Sequence, residues 1–292
     1  MFRFVSALLV LCVATNGFAQ DQLVWKFRTN EKLNYQVTQQ METVANFGGN
    51  ETRQTLGQAM NMSWNVLSAA ANGDAVINQV VERIRMEMEG GPGAKISYDS
   101  NNKEQSENQS VNAMGAVFQK IVGQDFKITM LANGKVKDVV IPPELMDAVK
   151  NSAAGANQAL SDETLKEMMK QSAVTLPDSP VNVGDTWTSK QTVPLPFGKM
   201  SIDSTMKYVE QDSNGDAIID VTPTITVIPS NEAAVKVNLN SSSGRGRVTF
   251  DIENGRVLKS ELVLSMKLNM EIVSQKQKFT QMINQKTMMI LK

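Results

Sequence analysis

The hexapeptide NGDAVI, Asn72–Ile77, returns almost unchanged as NGDAII, Asn214–Ile219, and the meaning of that repetition decides the fold. Asn-Gly supplies the positive φ angles that a two-residue type I′ turn requires. Asp74 and Asp216 then begin the returning strand, where a short carboxylate bonds local backbone. The phrase predicts the same hairpin in two copies of one antiparallel unit. Asn133-Gly134 and Asn254-Gly255 read as further turns of this type. The flanks extend the match: Met60–Val66 corresponds to Ile202–Tyr208, and KISYD (Lys95–Asp99) to RVTFD (Arg247–Asp251). A looser echo joins FKITMLANGKV (Phe126–Val136) to FDIENGRV (Phe250–Val257).

Period-two alternation dominates around these turns, which places apolar side chains on one face of a strand. Leu33, Tyr35, Val37 and Met41 form one such row, and Met60, Met62, Trp64 and Val66 a second. After the first hexapeptide the row continues through Val80, Ile84, Met86 and Met88. In Leu258–Ile272, Leu258, Leu262, Leu264, Met266, Leu268, Met270 and Ile272 share a face opposite Lys259, Glu261, Lys267 and Glu271. Strands of this length belong in a strongly twisted antiparallel sheet, with one wet face and one that must be covered. The fold class expected is therefore mainly β (α+β): a long-stranded, curled antiparallel sheet or barrel-like fold from two quasi-repeats, with a few inserted helices.

Helical spacing occurs only between strands. Ser110 can cap a helix of about 111–122 that carries Val111, Met114, Val117, Phe118 and Ile121 on one face. Pro142 or Pro143 suits a first turn ahead of Leu145, Met146 and Val149, and Ser161 caps a segment with Leu165, Met168 and Met169 inward. This yields a first β-rich unit over 20–142, a helical connection over 143–172 and a second unit over 173–292, together one structural domain.

The chain opens with Arg3, an apolar run Phe4–Ala14 and a small-residue segment ending at Ala19, the layout of a signal peptide over 1–19. Export to the periplasm or outside the cell is the expectation. Cys12 is the one cysteine, and Leu11 before it is too large for a lipoprotein site. No later run is apolar enough for a spanning helix, so none is expected in the mature chain. Removal of 1–19 takes away Cys12 and Arg3, leaves no Cys and no His, and shifts the formal charge from −1 to −2. Such a chain has no Ser-His-Asp or Cys-His nucleophile, no His-based zinc site and no disulfides. Its cations are scattered, which argues against a nucleic-acid face.

The remaining motifs have structural readings. Asp212, Asn214 and Asp216 imitate the start of a calcium loop, but Ala217 and Pro223 stand where Gly and Glu are needed, and Ala70 replaces Asp212 in the first copy. GGPGAK (Gly90–Lys95) lacks the spacer of a phosphate loop and precedes a strand. Met60, Met62, Met86, Met88, Met266 and Met270 could offer thioethers to copper, yet at strand spacing they suit an adaptable apolar core or cavity. No cofactor is expected.

LVWKFRTNEKLNYQVTQQM (Leu23–Met41) and LPDSPVNVGDTWTSKQ (Leu176–Gln191) resemble an exported bacterial family known as a domain of unknown function. Its members open with an apolar-aromatic strand and a G-E-K-L-x-Y turn, and carry a central L-P-x-x-P-V-x-V-G-D-x-W segment. Pro180–Trp187 fits that segment, whereas Asn30–Tyr35 lacks the Gly. The resemblance implies a β-rich exported protein and adds no mechanism. The expected curled sheet also looks like the half-barrels that carry lipoproteins or lipids across the periplasm, by fold analogy.

The leading functional expectation is a non-catalytic binding or structural protein that holds an apolar ligand, lipid or partner segment in a β-sheet cavity. Tyr35, Met62, Trp64, Trp187, Tyr208, Leu264 and Met266 are the cavity or core candidates. Two alternatives stand beside it. One is a hydrolase of envelope polysaccharide, which needs two carboxylates facing each other across a cleft. The other is a structural envelope component, marked by a filled core and an exposed apolar patch.

Overall fold

The computed structural model describes residues 20–90, 95–102, 109–143, 145, 166, 174–195, 197–230 and 233–292. The expected signal peptide lies outside them. So does the helical connection, except for Pro143, Leu145 and Lys166, each of which is helical.

Twelve strands and one helix follow in order among the described residues. The first half holds β1 (Lys32–Phe47), β2 (Asn50–Ala69), β3 (Ala75–Gly90), β4 (Ile96–Asp99), α1 (Gln109–Ile121), β5 (Asp125–Met130) and β6 (Val136–Val140). The second holds β7 (Thr186–Leu195), β8 (Gly198–Gln211), β9 (Ala217–Pro229), β10 (Val235–Asp251), β11 (Arg256–Ile272) and β12 (Gln277–Leu291). They form one antiparallel sheet in the order β6-β5-β3-β2-β1-β12-β11-β10-β9-β8-β7, with β4 on β3. The sheet curls without closing, and β6 and β7 are its ends. β2 alone runs 20 residues. Alternation keeps one face apolar over part of these strands, and curling buries that part, whereas the far ends of β1 and β2 and the middle of β10 stay half-buried or exposed.

The two hexapeptides occupy matching places. Ala75 begins β3 and pairs with Met130 of β5, and Ala217 begins β9 and pairs with Phe250 of β10. The counterpart of RVTFD is thus KITML, Lys127–Leu131, rather than KISYD. KISYD forms β4, which pairs at the far end of β3, Ile96 opposite Met88. Any half-buried strand shares such alternation, whereas distance from the turn sets register. The Asn133-Gly134 and Asn254-Gly255 turns do correspond, both following those strands.

The turns themselves differ from the two-residue type I′ expectation. Asn72 and Asn214 keep negative φ, and only Gly73 (φ 87°) and Gly215 (φ 88°) are left-handed. Gly73 N–H donates to Ala70 O and Ala70 N–H to Asp74 O, which is a three-residue loop with a glycine bulge; Asp212–Asp216 and Leu131–Lys135 repeat it. Gly255 closes a longer turn by donating to Asp251 O. The Asn side chain acts locally, accepting the Asp74 N–H at 3.2 Å.

Three of the six register irregularities among the described strands change which of the expected apolar residues face inward. Asn61 pairs with Arg83 but Met62 with Val81, so Glu82 is extra and Val81, not Val80, joins Ile77, Ile84 and Met86 on the buried face. Leu258 is extra on β11, so Val257 takes the inward place expected of Leu258. Leu67 is extra on β2 and 47% exposed. The helix begins at Gln109, which places Ser110 inside it rather than at its cap.

An extended strap, Gln20–Phe27, seals one end of the curl. Leu23, Trp25 and Phe27 point inward while Gln22 and Lys26 are exposed. Its backbone ties distant elements: Asp21 and Val181 exchange two bonds, Trp25 N–H donates to Ala132 O, and Lys26 N–H to Gly255 O. Trp25 stacks on Phe27 at 5.5 Å and contacts Trp64 at 5.7 Å and Phe250 at 6.1 Å. The largest core cluster forms around it, drawing Tyr35, Ile77, Met130, Tyr208, Ile219 and Val257 from both halves.

Candidate functional site

Above this sealed base the curl forms a cavity of about 670 Å³ that is partly open to solvent. Each wall follows from strand register. β1 and β2 present Val37 and Met60, which pair across the ladder, and Met62, which pairs with Tyr35, while Trp64 sits where the cavity meets the aromatic base. β3 adds Gln79 and Val81, the latter through the bulge at Glu82. Ile121 at the end of α1, Phe126 and Leu145 close one side, where a small cluster also buries Val139 and Ile141. β7 and β8 lie at the other end of the sheet, with Ser189 paired to Ser204, and β11 and β12, next to β1, add Ser260, Leu262, Thr287 and Met289. Above Leu262, Ile225, Leu264 and Met266 form a third cluster. Gly244 and Gly246 permit this: a Cβ on Gly244 would lie 2.4 Å from Pro223 Cγ and 2.7 Å from Leu264 Cδ2.

The residues singled out in the sequence divide among these places. Met62 and Trp64 line the cavity. Tyr35 and Tyr208 are buried in the base, where Tyr35 O–H donates to Val257 O at 3.3 Å and Tyr208 O–H to Asp21 at 2.7 Å. Burial raises both phenols well above the usual tyrosine range, and for Tyr208 the bonded Asp21 carboxylate adds to the rise. Trp187 packs on the edge of the base, its indole N–H donating to Thr175 O at 3.1 Å. Leu264 and Met266 belong to the third cluster. Val37, Met60 and Met289 carry an apolar signal equal to that of Met62. The polar lining, Gln79, Ser189 and Ser204, has no signal in sequence, since polar residues at inward strand positions look like breaks in the pattern.

The described lining includes one charged residue, Glu261, and its carboxylate pairs with Lys286 at 3.0 Å and Lys259 at 3.5 Å, two exposed lysines. Sugar hydrolysis needs two converging carboxylates, and the described lining supplies one carboxylate already engaged elsewhere. Among the described residues no cluster of three His, Cys, Asp or Glu can hold a metal. At the calcium-like loop, Asp212 accepts the N–H groups of Asn214 at 2.8 Å and Asp216 at 3.0 Å, so its carboxylate serves the turn.

Residues 72–290 match a family of unknown function, DUF6263. The chain belongs to that family. The DUF6263 match opens at the first Asn-Gly turn and leaves the strap, β1 and β2 outside it. No curated protein matches the chain in sequence. Among solved structures, one described under lipid-protein interactions in lipovitellin is similar in fold, with a TM-score of 0.53 and 11% identity over 91% of this chain and 25% of that one. The chain thus spans about a quarter of that protein's length. A DUF1329 family protein from Desulfovibrio piger aligns over 86% of this chain and 83% of that one at 10% identity, with a TM-score of 0.14.

Proposed function

We propose that this DUF6263 protein is an exported, non-catalytic binding protein that holds an apolar, lipid-like ligand inside its curled sheet. The cavity carries the reading: its 670 Å³ lie within the range of small-molecule sites, roughly 300–1,000 Å³, and apolar side chains with a few placed polar groups line it. Two of the apolar clusters give core residues to its wall, Trp64, Met206 and Val248 from the largest and Phe126 and Leu145 from the second. The likeness in fold to lipovitellin, described for its lipid-protein interactions, adds support. Export rests on the signal-peptide pattern of residues 1–19.

The test is solvent extraction of purified protein followed by mass spectrometry, together with titration of the uncharged dye Nile red. Co-purified long-chain lipid and saturable dye binding are expected, with dye binding lost in Ser204→Trp, which fills the cavity from β8. A protein that carries no lipid and takes up no dye would sink the proposal.

A further inference from the structure

We infer that the cavity selects an uncharged lipid, a long-chain ester or alcohol, and rejects the same chain bearing an ionised headgroup. This deepens the apolar-ligand reading and rests on it. The electrostatics of the wall make the selection. Among the described residues lining the cavity, the one ionisable side chain is Glu261, and its bonds to Lys286 and Lys259 direct that charge to the outer face. Every other polar group there is neutral: Gln79, Thr175, Gln191, Thr287, and serines that include the Ser189 and Ser204 pair. An isolated carboxylate or phosphate taken out of water without an opposite charge is strongly disfavoured and instead takes up a proton where it can. Neutral hydroxyl and amide groups solvate an ester or alcohol at no such cost.

A second observation points the same way. Trp64 is 3% exposed, and its indole Nε1 is buried with no hydrogen-bond acceptor among the described residues. An indole N–H can only donate. Leaving it unsatisfied is costly, and native structures keep few such groups. Trp64 also lines the cavity, at its boundary with the aromatic base. The neighbouring side chains cover Nε1, so a ligand that moves them aside and carries a carbonyl or hydroxyl oxygen supplies the acceptor, whereas a plain hydrocarbon does not.

Polar side chains are densest on β7 and β8, although Gln79, Ser260 and Thr287 stand among apolar neighbours elsewhere in the lining, and such a mixed wall suits an amphiphile. Ser189 and Ser204 come from β7 and β8, while Val37, Met60 and Met62 come from β1 and β2. The ligand that matches both is a chain with one neutral oxygen-bearing end.

The experiment compares methyl dodecanoate, dodecanoate and dodecane by displacement of Nile red from the full-length processed protein. At pH 8 the ester should bind at least a hundredfold more tightly than the ionised acid, and the gap should narrow as pH falls and the acid becomes neutral. Trp64→Phe keeps the ring and removes the N–H. It should weaken the ester about fivefold to tenfold and leave dodecane unchanged. Equal binding of ester and acid at pH 8 overturns the charge selection while leaving the apolar site in place. Dye binding without displacement by any of the three ligands overturns this inference alone. Failure of the dye to bind removes the apolar-ligand reading and this one with it.

Discussion

Gly134 shows how much one backbone position carries. Its φ is 83°, and a Cβ there would stand 2.2 Å from Val174 O and 2.7 Å from Trp25 Nε1. Gly215 has φ 88° in the equivalent type of turn, but the nearest atom to a Cβ is Gln211 Nε2 at 3.8 Å. The two positions separate conformational cost from steric cost. Gly215→Ala should lower stability by about 1 kcal/mol, the cost of a left-handed Ala. Gly134→Ala should lose about 1–3 kcal/mol beyond that, because backbone must move. Urea denaturation of the two variants measures the difference, and equal losses would refute the close packing of strap and segment 174–176 on the turn. Asn-Gly is legible in sequence as a turn. Its loop length is not, because the register of the flanking strands decides whether one residue or two become left-handed.

Among the elements, β4 depends on a single charged pair for part of its seat on β3. Arg83 Nε donates to Asp99 at 2.9 Å, and a second guanidinium nitrogen engages the other carboxylate oxygen. The Arg83 hydrogen bond holds Asp99 at a pKa of about 2, against an ordinary value of about 3.9. A lowered carboxylate pKa contributes stability that is complete above the unfolded value and is lost as pH falls through the folded one. The β3–β4 junction should therefore loosen between about pH 4 and pH 2. Carboxyl-carbon NMR should place the Asp99 midpoint near the lower figure, and a midpoint near 4 would discount the pair. Because both side chains are partly exposed, global stability should change little. Bulges belong to this scale too. Strand patterning identified the elements, yet Val81 and Val257 replaced Val80 and Leu258 on the inner face. An extra residue leaves no compositional mark, since it is defined against a partner strand.

For the whole molecule, the strap closes what the sheet leaves open. β6 and β7 end the sheet without pairing to each other, and β1 and β12 unite the two halves. At the base, Trp25 bonds the β5–β6 turn while Leu176 N–H donates to Asn133 O, so backbone bonds bridge the two ends there. Trp25→Ala would remove a side chain only 1% exposed and its contacts with Phe27, Trp64 and Phe250. A loss of about 3–5 kcal/mol is expected. Hydrogen exchange should quicken at Trp25, Lys26, Gly134 and Leu176, the amides that close the base. A loss under about 1 kcal/mol would mean that the strap is dispensable.

The sequence by itself determined the class of this protein: long one-sided strands, Asn-Gly turns at recurring places, and no thiol or imidazole beyond residue 19. Those are local properties, because alternation and turn chemistry act on neighbouring residues. It also marked Met62 and Trp64 as inward. Tertiary structure alone decided that these two border a cavity while Tyr35, Tyr208, Leu264 and Met266 sit in packed clusters. An inward side chain looks the same in sequence whether its far neighbour is another side chain or empty space. That neighbour comes from the opposite wall of the curl, set by sheet twist, bulges and an N-terminal strap.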